Sequence, residues 1–188
     1  TATRVRTRIE LVLDYAEALK LRSGSNPARW RGHLATILPN ATKIRKIEHH
    51  PALPYDELQP FMGRLSTTNG IGARALEIAI LTASRTFEVL GATWEEFDLD
   101  KRVWTVPQER MKAGIEHRIP LSEPAMKILK ILHDGRISDS VFPNLTNGKP
   151  LSNAGMSSVL KRMGRTDITV HGFRSTFRDW VAEKTNTP

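Results

Sequence analysis

The stretch Val170-His171-Gly172-Phe173-Arg174-Ser175 places a histidine and an arginine three residues apart, at the start of a predicted helix. Apolar residues at i, i+4, i+7 and i+8 give that helix one buried face, made of Phe173, Phe177, Trp180 and Val181. An arginine near a helix N-terminus favours a bound phosphate, because the guanidinium and the unpaired backbone amides both attract anions. The same pair is also compatible with a surface arginine beside a capping histidine, so the rest of the chain has to supply partners.

A second charged pair lies near the middle of the chain, inside a strongly apolar segment. Residues 73–91 predict a single buried helix that ends at a glycine, with a stripe of Leu76, Ala79, Ile80, Ala83, Phe87 and Leu90. Arg85 and Glu88 lie three residues apart, away from the centre of this stripe. A charged residue in such a helix usually has a partner or a ligand. The pair is therefore either an intrahelical ion pair or part of a binding site.

Between these two segments the pattern changes to that of a small sheet. Residues 103–106 are rich in β-branched and aromatic side chains, and residues 117–121 return as a second strand after a turn at 112–114. Lys112 therefore lies near the tip of a hairpin or meander, where a lysine is either solvated or directed at a ligand. Two further helices are predicted, one capped by Ser122 and one capped by Ser152, with a loop between them at residues 134–151. The body is α+β and mainly α.

Composition excludes several classes of protein. The chain has 188 residues, of which 39% are hydrophobic, and no apolar run approaches the length of a membrane span. It has no cysteine, which excludes disulfides and thiolate metal sites and is compatible with a reducing cytoplasm. The six histidines show no ligand spacing, so no metal is predicted.

The positive charge is concentrated at one end of the chain. The net charge is +8; residues 1–50 hold ten Lys or Arg and four Asp or Glu, which leaves +6 there and +2 in the remainder. This distribution indicates a polyanion held at one end, although a solvated basic helix face also explains it. Residues 4–20 predict an amphipathic helix with arginines off its apolar stripe. The candidate phosphate-binding residues are Arg4, Arg6, Arg8, Arg29, Arg31, Lys43, Arg45 and Lys46.

A domain boundary is predicted near residue 54. Asn26 and Pro27 predict the start of a short second helix, with Asn as N-cap and Pro at the first helical position. A polar, basic connector bounded by prolines follows at residues 39–54, as is usual between domains. Two helical pieces do not make a complete domain, so residues 1–54 are interpreted as the tail of a domain that begins upstream, and residues 55–188 as a separate body.

Taken together, the motifs resemble those of the tyrosine recombinases, the phage-type integrase family. The resemblance covers nearly the whole chain and keeps the order of the family's motifs: residues 81–94 with Arg85 and Glu88, residues 110–114 with Lys112, residues 117–121, and His171-x-x-Arg174. Residues 26–33 are similar to the end of the core-binding domain in integrases of prophages and genomic islands. The resemblance implies a helical catalytic domain with a small antiparallel sheet, preceded by the tail of a helical core-binding domain.

The resemblance also implies a reaction and a role for each site residue. Arg85 and Arg174 would bind the non-bridging oxygens of a DNA phosphodiester, which gain charge during attack. Lys112 would protonate the leaving 5′-oxygen, and His171 would orient or deprotonate the nucleophile. Glu88 would support Arg85. The family needs no metal or cofactor, since a covalent phosphotyrosine conserves the bond energy, and it acts as a tetramer on attachment-site DNA in the bacterial cytoplasm and nucleoid, with DNA-bending or excision proteins as accessory partners.

Two departures from the family pattern matter. The family's second histidine and its nucleophilic tyrosine follow His-x-x-Arg by some tens of residues, whereas the tyrosines here are Tyr15 and Tyr55, both far upstream. The chain is therefore expected to be a fragment that binds DNA without cleaving it. Phe87 stands where small residues are common in the family. The alternatives are a DNA-binding module of a decayed integrase, from a different functional class, and a type IB topoisomerase, which residues 26–34 disfavour.

Overall fold

The computed structural model describes residues 2–39, 51–111 and 113–185, and the chain divides into two compact units, Thr1–His49 and His50–Pro188. Four of the predicted site residues lie outside the described residues, namely Lys43, Arg45, Lys46 and Lys112. In the described ranges, no helix has both the length and the apolar character needed to cross a bilayer.

The first unit begins with helix α1 (Ala2–Ala18), which confirms the predicted helix two residues earlier in the chain. Its apolar stripe contains no buried residue, and Val5, Ile9 and Val12 are each about half exposed or more. The helix ends where Lys20 takes a left-handed backbone conformation with φ of 58°. The predicted periodicity is therefore correct, but of this stripe only Leu13 and Ala16 are even partly buried.

The predicted second helix at Asn26 is wrong. Asn26 is almost fully buried, and its side-chain oxygen accepts from the Ala28 amide at 2.9 Å, so it caps a turn. Its amide nitrogen donates to the Glu10 carbonyl and to Asp14, both at 2.8 Å, which ties the turn to α1. A helical turn, α2 (Ala35–Ile37), forms only later, because Gly32 has φ of 74° and interrupts any continuous helix.

The second unit has a single apolar core formed by helices and a small sheet. Its helices are α3 (Leu58–Ser66), α4 (Ile71–Leu81), α5 (Thr86–Leu90), α6 (Glu123–Asp134), α7 (Ala154–Arg162) and α8 (Gly172–Lys184). The largest fully buried side chains in this core include Trp104, Phe142, Leu65, Leu76, Ile78, Leu129 and Met156. Helices α6 and α7 confirm the two predicted after Ser122 and Ser152, although the N-cap of α7 is Asn153 and neither N-cap makes a side-chain hydrogen bond.

The predicted helix over residues 73–91 is two helices. Helix α4 ends at Leu81, Ala83 takes a left-handed conformation with φ of 49°, and Arg85 is extended before α5 begins. Thr82 Oγ1 donates to the Ile78 carbonyl at 2.6 Å, which closes the end of α4. After the break, Leu90 is still buried in the core, whereas Phe87 is 72% exposed instead of buried.

The sheet is a three-stranded antiparallel meander in the order β1 (Phe97–Asp98), β2 (Val103–Val106) and β3 (His117–Pro120). Trp104 pairs with Ile119 in register and stacks on Phe97 at a centroid distance of 5.1 Å. Strands β2 and β3 confirm the predicted hairpin. Strand β1 was not predicted, because two residues are too few to show an alternating pattern.

The N-terminus of α8 is fastened to the segment that opens the second unit. The Thr169 amide donates to the Pro51 carbonyl at 3.1 Å, and Thr176 Oγ1 donates to the Leu53 carbonyl at 2.6 Å. A Cβ atom at Gly172 would overlap the Pro51 carbonyl group, so this position requires glycine. These contacts fix the first turn of α8 and hence the start points of the side chains on it.

The apolar stripe of α8 is buried only in its first turn. Phe173 is buried, as predicted, and contacts Phe61 at a centroid distance of 5.2 Å. Phe177 and Trp180 are 48% and 43% exposed, so the prediction that the whole stripe is buried is wrong. They line an open apolar groove of about 400 Å³ that also includes Tyr55.

Candidate active site

The turn between α4 and α5 joins two parts of the chain that are far apart in sequence. The Arg174 guanidinium, in the first turn of α8, donates to the carbonyl oxygen of Ala83. Ala83 directs that carbonyl towards Arg174 through its left-handed backbone, a conformation that costs on the order of 1 to 2 kcal/mol for a residue with a Cβ. Such strain often occurs at functional sites, where the surrounding structure holds it in place.

Arg85 is held by Glu88 through two hydrogen bonds. Its Nη1 donates to Glu88 Oε1 at 2.6 Å, and its backbone amide donates to Glu88 Oε2 at 2.8 Å. The Glu88 side chain is 5% exposed, whereas the Arg85 side chain is 44% exposed. Both oxygens of the Glu88 carboxylate therefore accept from Arg85, whereas the Arg85 guanidinium donates only through Nη1 in the described hydrogen bonds. The prediction of an Arg85–Glu88 pair is confirmed, and the pair spans the start of α5.

The charge state of Glu88 follows from these contacts. Burial raises the pKa of Glu88, but the hydrogen bonds from the Arg85 amide and guanidinium outweigh it, so the pKa lies below its ordinary value. The positive charges of Arg85 and Arg174 act in the same direction. Glu88 is thus ionised at neutral pH and serves as a counter-ion between two arginines. A carboxylate in this state is suited to orienting guanidinium groups, not to transferring protons.

His171 lies on a groove beside this cluster. The groove has a volume of about 410 Å³ and includes Thr86, the residue after Arg85, together with Lys161 and Arg165. The backbone carbonyl of His171 accepts from the Arg174 amide at 3.1 Å, so both residues belong to the same turn. Of the predicted catalytic and supporting residues, the structure brings Arg85, Glu88 and Arg174 together and places His171 on the adjoining groove.

Arg110 is a residue of this region to which the sequence analysis assigned no role. Its Nη2 donates to the backbone carbonyls of Phe87 at 3.1 Å and Glu88 at 2.6 Å, and its Nη1 donates to the Glu96 carboxylate. A Cβ at Gly91 would come within 2.8 Å of Arg110 Nη2. In the sequence, only Gly91 and Glu96 could have indicated this contact, and glycine and glutamate are too common to predict it.

The arginines of the first unit differ in their contacts. The expectation that Arg6 is free to meet a phosphate is corrected, because its guanidinium donates to Glu10 and to the Ala28 carbonyl and lies over the Trp30 ring, 5.4 Å from its centroid. Arg29 lies 3.6 Å from Asp14 and 3.9 Å from Glu17, so its charge is partly offset. The predicted residues that remain exposed without a described ion pair are Arg4, Arg8 and Arg31.

Neither tyrosine has the surroundings of a nucleophile. Tyr55 donates its hydroxyl hydrogen bond to Glu183 at 2.7 Å, and that bond is the main cause of a pKa above the ordinary value for a phenol. A higher pKa leaves less phenolate, which is the reactive form. Tyr15 is an exposed residue of α1, in the other unit of the chain. Within the ranges that the structure describes, no three His, Asp or Glu side chains cluster as metal ligands would.

Comparison of the sequence with known proteins gives a consistent result. A model of the phage integrase family matches residues 52–186. The integrase of Enterobacteria phage P4 is 30% identical over 201 aligned positions, which cover 97% of this chain and 44% of that protein. The prophage integrase IntZ of Escherichia coli K12 is 33% identical, covering 94% of this chain and 42% of that protein. The chain thus spans less than half the length of these two relatives.

Comparison with solved structures supports the fold. The Tn1549 transposon integrase, in complex with a circular intermediate DNA, superposes with a TM-score of 0.71 at 16% identity, covering 98% of this chain and 67% of that chain. A lambda integrase tetramer bound to a Holliday junction gives a TM-score of 0.65 at 19% identity, covering 97% and 54%. These matches confirm the predicted α+β, mainly α fold of a tyrosine-recombinase catalytic domain.

Proposed function

The chain belongs to the phage integrase family, and on that premise we propose that it forms the catalytic body of a site-specific DNA recombinase, an integrase that breaks and rejoins attachment-site DNA. The observation that carries this proposal is the cluster at the α4–α5 turn. There Glu88 pairs with Arg85, and the positive charge of Arg174 helps to lower the pKa of Glu88. Arg85, held by the buried Glu88 carboxylate, and Arg174, held by the Ala83 carbonyl, form a preorganised site for a phosphodiester.

The cluster acts on the charge that develops during transesterification. When a nucleophile attacks the phosphorus atom in line, the non-bridging oxygens gain negative charge, and the guanidinium groups of Arg85 and Arg174 bind those oxygens. Their orientation is set beforehand, by Glu88 for Arg85 and by the Ala83 carbonyl for Arg174. Loss of one such donor costs about 3 kcal/mol in comparable sites.

Proton transfer completes the reaction. Lys112 protonates the leaving 5′-oxygen as general acid, and His171, on the groove beside Thr86, orients or deprotonates the nucleophile. The phosphoryl group passes to a tyrosine as a 3′-phosphotyrosyl intermediate. The bond energy is retained in that ester, so rejoining to a new 5′-hydroxyl requires neither a nucleotide nor a metal ion.

The nucleophilic tyrosine comes from outside these 188 residues. The raised pKa of Tyr55, caused mainly by its hydrogen bond to Glu183, and the position of Tyr15 on α1 support this assignment. The chain alone therefore binds DNA without forming a covalent adduct. Residues 1–54 act as the end of the core-binding domain with a basic linker, and residues 55–188 belong to the catalytic domain.

The partner is double-stranded attachment-site DNA, bound by a homotetramer of the longer protein in the bacterial cytoplasm and nucleoid, so that a prophage or genomic island is integrated or excised. Accessory DNA-bending or excision proteins assist there. The basic candidates of the first unit contact phosphates and supply the salt-dependent part of binding. Among the described candidates, Arg4, Arg8 and Arg31 are the most available for these contacts because no described ion pair engages them.

The test uses the longer gene product that contains this chain, with a nicked DNA that carries the attachment site. We expect a covalent protein–DNA adduct on a denaturing gel, formed about 10²- to 10³-fold more slowly by Arg174→Ala. The control is Arg178→Ala on the same helix, since that side chain is 71% exposed and bonded only to Asp179 among described residues. Site-specific binding by the wild-type protein without any adduct would instead support the alternative, a decayed integrase that only binds DNA.

A further inference from the structure

Helix α5 carries Glu88 but has only five residues, too few to hold its own conformation in water. Both ends are therefore held by side chains. At the start of the helix, the Glu88 carboxylate accepts from Arg85. At the other end, Arg110 donates to the Phe87 and Glu88 carbonyls of the last turn, and the Phe87 carbonyl also accepts from the Gly91 amide. The backbone carbonyl of Glu88 thus binds Arg110, and its side-chain carboxylate binds Arg85.

Arg110 is itself attached to a buried part of the second unit. It donates to Glu96, whose side chain is 8% exposed, and Glu96 also accepts from Trp104 Nε1 at 2.9 Å. Trp104 is fully buried in strand β2. A continuous series of hydrogen bonds therefore runs from the core of the sheet through Glu96 and Arg110 to the backbone of Glu88.

The shape of this connection requires an arginine. Three acceptors, two carbonyls and one carboxylate, are reached by the two terminal nitrogens of one planar guanidinium. A lysine presents a single nitrogen and cannot span the same set. The approach is close enough that a Cβ at Gly91 would lie 2.8 Å from Nη2, so Gly91 leaves room for the guanidinium.

From this geometry we infer that Arg110 is a positioning residue for the active site. It fixes the orientation of α5 against the sheet, and through Glu88 it fixes the guanidinium of Arg85 for the phosphate. The inference rests on the proposed function for its catalytic consequence. Arg110 contacts no substrate in this scheme, because the described hydrogen bonds of its terminal nitrogens all go to protein acceptors.

The catalytic test is a double-mutant cycle in the longer gene product, with adduct formation on nicked attachment-site DNA as the readout. Arg110→Met is expected to slow the reaction about 10- to 100-fold, as small misplacements of reacting groups do, and Arg110→Lys by a similar factor. Because Arg110 acts through Arg85, adding Arg110→Met to Arg85→Ala should cause little further loss. Additive losses, or restoration of the rate by Arg110→Lys, would overturn the inference.

A second substrate identifies the step that Arg110 affects. The two substrates are an ordinary phosphodiester and one in which sulfur replaces the leaving 5′-oxygen, since a sulfur leaving group needs no proton. If Arg110 positions Arg85, Arg110→Met should slow cleavage of both substrates by the same factor. If Arg110→Met slowed cleavage of the ordinary phosphodiester only, Arg110 would act in proton transfer to the leaving oxygen, which would contradict the inference. Arg102→Met is the matched control, because Arg102 pairs with Glu123 on the exposed surface of the same unit.

A third measurement separates this inference from the proposed function. In the 188-residue chain, Arg110→Met should raise amide hydrogen exchange in α5, whereas Arg102→Met should not. If the wild-type longer gene product forms no adduct, the proposed function fails, and exchange in α5 of the 188-residue chain then decides whether Arg110 holds the helix. Unchanged exchange in α5 would refute the positioning role in either case.

Discussion

Replacement of Glu88 by glutamine tests the electrostatic account of the site most directly. Glutamine has nearly the same shape, so packing is retained, but Arg85 loses its counter-ion. Hydrogen bonds to charged groups contribute about 1.5–3 kcal/mol, and the half-exposed guanidinium of Arg85 calls for the lower end of that range. We therefore expect Glu88→Gln to lower the free energy of unfolding by about 1–2 kcal/mol near neutral pH.

The effect should depend on pH in a defined direction. The pKa of Glu88 is depressed in the folded state below the ordinary value of 4.5, since the hydrogen bonds of Arg85 outweigh burial. Its contribution to stability is thus fully present above the unfolded-state pKa and is lost as pH falls through the folded-state pKa. The difference between wild type and Glu88→Gln should be largest near neutrality and should shrink at acid pH.

The assay is urea unfolding of the 188-residue chain, followed by circular dichroism, at neutral pH and at a pH below the ordinary carboxyl pKa. The other carboxylates titrate in both proteins, so their effects cancel in the difference between the two free energies of unfolding. The control is Glu95→Gln, which changes an exposed carboxylate seven residues away. A stability difference that stays constant with pH, or a Glu88→Gln protein as stable as wild type, would refute the proposed ion pair.

Three further predictions concern the backbone and one buried amide. Ala83→Gly removes the left-handed strain and should raise the free energy of unfolding by about 0.5–1 kcal/mol in urea titration; a loss would show that Ala83 is not strained. Gly172→Ala places a Cβ against the Pro51 carbonyl and should lower stability by about 1–3 kcal/mol; an unchanged melting temperature would contradict that clash. Asn26→Ala removes three hydrogen bonds in the first unit and should increase hydrogen exchange in α1, while exchange in the second unit should stay the same.

The elements predicted correctly are those specified by local patterns. Helix α1, helices α6 and α7, and strands β2 and β3 each have a clear hydrophobic period of their own. The ends of α1 differed by two residues, because helix termini depend on contacts beyond the helix. The pattern of residues 73–91 also suits a helix, yet the chain breaks at Ala83, where no glycine or proline marks a turn.

Burial was predicted less well than helicity. Phe87, Phe177 and Trp180 all fit an apolar stripe, but each is at least 43% exposed. A periodic stripe shows which face of a helix is apolar, but the residues that cover that face come from other segments. The same reasoning explains Asn26, which caps a turn that is held by α1 and not by the residues that follow it.

By itself, the sequence determined the family and the fold class, and it predicted Arg85, Glu88, His171 and Arg174 as candidate site residues, because they lie in motifs whose spacing is local. Only the tertiary structure decided how these groups converge. The hydrogen bond from Arg174 to the Ala83 carbonyl joins residues 91 positions apart, and the contacts of Arg110 with α5 span 22 and 23 positions. Such contacts depend on a left-handed turn and on the close approach of side chains in a packed core, and neither is encoded by the residues at one place in the chain.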